Sequence, residues 1–129
     1  ELFKSVYKVE KKAMIMEFLK LSDDEAKGFW PIYESYESER SAIGSMRIEL
    51  IQKYVESYNT MTDEQADEMM TASFDMRSKL EKLHKTYYAK IKKEMGALRA
   101  VQFVQFERLV KTSLDVELYN QLPLVGEFK

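Results

Sequence analysis

Met61-Thr62-Asp63-Glu64-Gln65 places a hydroxyl three residues before a glutamine, with an apolar side chain just ahead of it. The hydroxyl accepts from the backbone N–H three residues on, and the glutamine reaches back to the N–H of the threonine. Two donors left unpaired at a helix start are thus satisfied reciprocally, and the leading methionine can staple the first turn. Leu21-Ser22-Asp23-Asp24-Glu25 repeats the arrangement 40 residues earlier, between Ser22 and Thr62. Helical periodicity follows both boxes. The expectation is an all-α chain: an elongated four-helix arrangement built on a long antiparallel helical hairpin.

Working outward, residues 1–20 carry apolar groups at Leu2, Val6, Val9, Ala13 and Met16, with Phe3, Tyr7, Met14 and Phe18 on an adjacent stripe. Steps of three and four predict an amphipathic helix that stops near Lys20. The second helix opens at Ser22 and reads to about Tyr58. Its seam at 29, 33, 36, 40, 43, 47, 50 and 54 returns Phe, Tyr, Tyr, Arg, Ile, Arg, Leu and Tyr, which fits a helix stripe and no strand. At 1.5 Å per residue it spans roughly 50 Å. Pro31 lacks the N–H owed to Lys27 and crowds the preceding turn, so a kink is expected near Trp30, with two short helices meeting there as the alternative. Asn59-Thr60 form the turn. The third helix runs from Thr62 along Met69, Met76, Leu80, Leu83, Tyr87, Ile91 and Met95 and ends at Gly96, expected in a left-handed cap. The fourth runs from about Leu98 to Gln121 on Phe103, Phe106, Val110 and Leu114, and Leu122-Pro123 stops it.

A chain of 129 residues with 45% apolar and 33% charged side chains reads as one globular domain, 1–129, and not as a disordered segment. No apolar run approaches the roughly 18 residues needed to span a bilayer. Opening at Glu1 rather than Met reads as a processed or trimmed product, compatible with a removed leader. Without cysteine there are no disulfides, thiolate nucleophiles or thiolate metal sites. Net charge is −2, unevenly spread: residues 22–68 hold 12 acidic and 4 basic side chains, whereas 77–99 hold 8 basic and 2 acidic. The bland reading pairs the two helices electrostatically; the sharper one steers an anionic partner to a basic patch. An acidic chain without a binding motif disfavours nucleic acid.

Candidate chemistry is sparse. Glu81-Lys82-Leu83-His84 has the spacing that turns a carboxylate and an imidazole toward one metal, but a di-iron bundle needs two such pairs and two further glutamates. His84 is the sole histidine, so a symmetric dimer would have to donate the rest, and a semi-exposed histidine beside the seam is the simpler reading. No metal or other cofactor is expected. Asp23, Asp24, Asp63 and Glu64 suit the positive end of a helix dipole and need no catalytic role. No nucleophile–base pair can be assigned, and the chain reads as no enzyme.

The surplus lies in 16 aromatics and 8 methionines, several doubled: Phe29-Trp30, Met69-Met70, Tyr87-Tyr88. A two-helix layer buries one stripe, so each second member has no evident inward place. Either the first and fourth helices cover those stripes, or they form an adaptable surface that repacks against partners.

Met61–Gln65 resembles the Leu-Thr-x-x-Gln motif that names the Spy and CpxP-like family of periplasmic proteins, and Leu21–Glu25 resembles a degenerate first copy. Phe29-Trp30-Pro31-Ile32-Tyr33, Gln102-Phe103-Val104-Gln105-Phe106-Glu107 and Leu122-Pro123-Leu124-Val125 look like envelope proteins of Gram-negative bacteria related to it. Position 61 is Met rather than Leu, position 22 is Ser and position 25 is Glu. The resemblance implies a periplasmic, elongated helical homodimer that binds partially unfolded envelope proteins without ATP in a stress response. The alternative is an envelope-stress sensor or adaptor with one protein partner. Histidine-rich zinc segments of some relatives are missing, so metal binding is not implied. Phe29, Trp30, Tyr33, Met69, Met70 and Tyr88 would supply apolar contacts, and Lys82, Lys85, Lys92 and Lys93 would draw in acidic segments.

Overall fold

Both capping boxes form, and they set the helix starts. Ser22 Oγ accepts from Glu25 N at 3.2 Å while Glu25 Oε1 accepts from Ser22 N at 3.0 Å. Thr62 and Gln65 make the same pair of bonds at 3.2 and 3.0 Å. The computed structural model describes residues 2–125, with side chains from Glu10 onward. It contains four helices: α1 (Leu2–Leu19), α2 (Asp23–Ser57), α3 (Asp63–Met95) and α4 (Ala97–Gln121). There is no strand among the described residues, and none of their helices is long and apolar enough to cross a membrane.

The punctuation between helices has local causes. Lys20 takes a positive φ of 49° between α1 and α2. Gly96 both ends α3 and begins α4 at φ 95°, ψ 164°. That is not the expected left-handed cap but an extended region of positive φ, open essentially to glycine alone. Leu122 turns extended at φ −87°, ψ 136° before Pro123, where the proline ring disfavours helix in its predecessor. α2 continues through Pro31 as one helix, so it is not the two short helices held as the alternative.

α2 packs on α3, α3 on α4, and α1 on α4. Side-chain pairs fix the directions. Glu81 meets Arg108 between α3 and α4, and His84 meets Tyr36 between α3 and α2. Lys12 meets Glu34 and Leu19 O meets Arg99, so α1 runs back along α2 and α4. The core gathers where all four helices overlap, around Ile15, Phe29, Tyr33, Tyr36, Tyr87, Ile91 and Phe103, all at 1% exposure or less. Its rings interlock edge to face: Tyr36 meets Phe103 at 5.0 Å and 84°, and Tyr87 at 5.4 Å and 69°. Such pairs add about 0.5–1.5 kcal/mol each beyond area burial.

The α2 seam turns inward at all eight positions: Phe29, Tyr33 and Tyr36 are buried, and 40, 43, 47, 50 and 54 are half-buried. The α1 face is a correction. Ala13, Met14, Met16 and Phe18 are exposed, and the buried line is Lys11, Ile15 and Leu19. Leu2, Phe3, Val6, Tyr7 and Val9 lie outside the described side chains.

Candidate binding groove

Lys11 marks the place where α1 meets the middle of the bundle. Its Nζ donates to Glu37 Oε1 at 2.5 Å and to Glu107 Oε1 at 2.8 Å, with all three side chains at 4% exposure or less. Arg40 closes on Glu37 through Nε at 2.9 Å and Nη2 at 3.3 Å. Glu107 also accepts from Tyr36 Oη at 2.7 Å and Tyr33 Oη at 3.4 Å. Two cations and two carboxylates therefore balance inside the helices, which is the condition under which buried charge is tolerated. Burial alone would raise the Glu37 carboxyl, but Lys11 and Arg40 outweigh it and hold it below its ordinary value. Burial pushes the hydroxyls of Tyr33 and Tyr36 far up, with the charge of Glu107 adding to it. Both phenols are donors throughout the physiological range.

His84 Nε2 lies 3.2 Å from Tyr36 Oη. Tyr36 spends its one proton on Glu107, so Nε2 is the donor and carries hydrogen. Burial lowers the His84 pKa; Glu81 opposes this, and Arg108 and Lys11 reinforce it. The ring is buried at 5% exposure, not semi-exposed as expected from the sequence, because it packs at 6.1 Å from Tyr36. Glu81, its partner in the Glu-x-x-His spacing, is exposed and bonded to Arg108. Among the described residues no three His, Asp or Glu side chains gather as metal ligands.

On one side of this ionic layer lies the packed core. On the other, described residues of α2, α3 and α4 line an open groove of about 670 Å³. Ile43, Leu50 and Ile51 of α2, Met69, Met70 and Phe74 of α3, and Leu114 and Leu118 of α4 line it, with Leu122–Val125 at its far end. Phe74, Leu114 and Leu124 stand 60%, 50% and 73% exposed, a contiguous apolar surface of the kind that marks interaction sites. Tyr54 Oη donates to the Pro123 carbonyl and ties the tail after α4 to α2. Lys11, Arg40, His84 and Glu107 close the inner end.

Of the ten residues expected to contact partners, Met69 and Met70 line this groove. Phe29 and Tyr33 are corrected: both are fully buried, because α1 and α4 cover that stripe of α2. Trp30 is half-buried against the core with Lys12 Nζ 5.3 Å from its ring. Lys85 and Tyr88 share a shallower recess of about 400 Å³ with Val101 and Val104 between α3 and α4. Lys82, Lys92 and Lys93 are exposed on α3 outside the groove; the last two sit in its final turn, where cations complement the helix dipole.

The ionic layer itself went unread in the sequence. Its signal was present: Glu37 follows Tyr36, Glu107 follows Phe106, and Lys11 stands four residues before Ile15. Each charge borders an apolar stripe on a different helix, and the signs are complementary. Comparison of the chain with protein-family models, with curated proteins and with solved structures returned no match.

Proposed function

We propose that this chain is a non-enzymatic, periplasmic, Spy/CpxP-like protein that holds apolar segments of partially unfolded envelope proteins without ATP or any cofactor. The observation that carries the reading is the open groove lined by α2, α3 and α4. Its walls carry Met69, Met70 and Phe74, and methionine and aromatic side chains adapt to varied apolar surfaces at little cost. In this reading α2 and α3 act as an antiparallel hairpin bent at Pro31. Two copies associate as a homodimer, with Lys82, Lys85, Lys92 and Lys93 drawing in acidic stretches of clients.

The test is suppression of aggregation of a chemically denatured client by stoichiometric excess of the protein. Wild type should protect, and the double variant Met70→Ser/Phe74→Ser should protect markedly less while its helicity is unchanged. Aggregation at the same rate with and without wild-type protein would end the chaperone reading.

The second reading is the adaptor, for which the same groove would seat one defined protein partner. Capture from envelope extract separates the two. One stoichiometric partner lost on Phe74→Ser supports the adaptor, and a diffuse client set supports the chaperone.

A further inference from the structure

The groove is graded along its length. At the level of Arg47 and Lys111 it is ringed by cations from three helices, and beyond that level its lining is apolar. Arg47 Nη1 and Lys111 Nζ both reach Asp115, at 2.7 and 2.6 Å. Arg77 enters from α3 and has no ion-pair partner among the described residues. Three cations thus face a single carboxylate. Deeper in, Lys11 and Arg40 are cancelled by Glu37 and Glu107, so the surplus positive charge sits at the ring. Outward from it, Leu114, Leu118 and Leu122 of α4 and its tail face Met69, Met70 and Phe74.

Size limits the occupant. The lining of α2 runs from Arg40 to Tyr54, about 21 Å at 1.5 Å per residue. Along that length the groove offers about 670 Å³. That volume falls within the roughly 300–1,000 Å³ of pockets that take one small organic ligand. A single extended acyl chain is narrow enough, and the cationic ring calls for an anionic head.

We infer that the groove is a binding site for one free medium-chain fatty acid, its carboxylate at Arg47, Arg77 and Lys111 and its chain running past Leu114, Phe74 and Leu118. It assigns a different occupant to the groove of the chaperone reading, and dodecanoate binding is read without any client present.

Calorimetric titration of the full chain with dodecanoate, dodecanol and dodecylammonium, each below its micellar concentration, tests it. Dodecanoate should saturate at one per chain and bind more tightly than the alcohol, with the ammonium weakest. Arg77→Glu should weaken dodecanoate by about fivefold, the size of one partly exposed charge contact, and leave dodecanol unchanged. Phe74→Ser should weaken both. Circular dichroism of each variant establishes that the fold is retained. Equal binding of the three amphiphiles, a non-saturating isotherm, or indifference to Arg77→Glu overturns the inference. Binding of an amphipathic helical peptide in place of dodecanoate would assign the groove to a protein and overturn it equally.

Discussion

Lys11 is the cation that lets Glu37 and Glu107 approach each other inside the helices. Lys11→Met keeps most of the aliphatic stem and removes the ammonium, which leaves Arg40 to serve Glu37 and no cation on Glu107. The expected loss is about 3–5 kcal/mol, the usual consequence of leaving a buried charge uncompensated. Urea unfolding would measure it. Glu107→Gln added to Lys11→Met should recover part of the loss, because the orphaned charge is then gone, so the two changes should be far from additive. His84 reports on the same layer. Burial holds its pKa below the ordinary 6.5, with Glu81 opposing and Arg108 and Lys11 assisting. Between its folded value and 6.5 the unfolded chain binds more protons than the folded one. The contribution to stability is therefore complete above pH 6.5 and is lost as pH falls through that window. An NMR titration of the ring should give a midpoint under 6.5, and His84→Gln should flatten the pH dependence of unfolding there. A midpoint at or above 6.5 would contradict the burial argument.

At the scale of elements, Gly96 carries the sharpest demand. It is a one-residue hinge between α3 and α4 at φ 95°, with no atom within 4 Å of where a Cβ would stand. Gly96→Ala therefore meets no clash, and its cost is conformational, about 1–3 kcal/mol; thermal unfolding would show it. A neutral result would mean that the hinge relaxes to negative φ. The helices themselves were legible because capping boxes and stripe periodicity are local properties, and Ser22 and Thr62 make the bonds that their spacing called for. The inward face of α1 was not. Its centre is a lysine, and a hydropathy stripe passes over a charged residue whose partners, 26 and 96 positions away, appear only after folding. The same blindness bears on Phe29 and Tyr33, read both as part of the α2 seam and as partner contacts. Period identifies the stripe they share, but not that α1 and α4 both come to lie on it.

At the scale of the molecule, the helices differ in length. α2 and α3 have 35 and 33 residues, against 18 in α1, so α1 covers about 27 Å of an α2 roughly 52 Å long. One half of the molecule holds the aromatic core, and the other holds the groove, a trough lined by described residues of α2, α3 and α4. The lengths could be read from the sequence; the register of α1 on α2 and α4 depended on Lys11 finding Glu37 and Glu107. The two halves should differ in local stability, because fewer buried apolar contacts oppose opening of the trough. Native-state hydrogen exchange should find backbone amides of α2 from 43 to 57, and of α3 from 66 to 76, at least about tenfold faster than those at 28–40 and 83–95, a difference of ~1.4 kcal/mol in opening free energy. Saturating dodecanoate should slow the first group and leave the second unchanged, since a ligand stabilises the conformation that binds it. Uniform protection along α2 would show that the trough is held as firmly as the core, and the energetic case for a groove that gains by being filled would be lost.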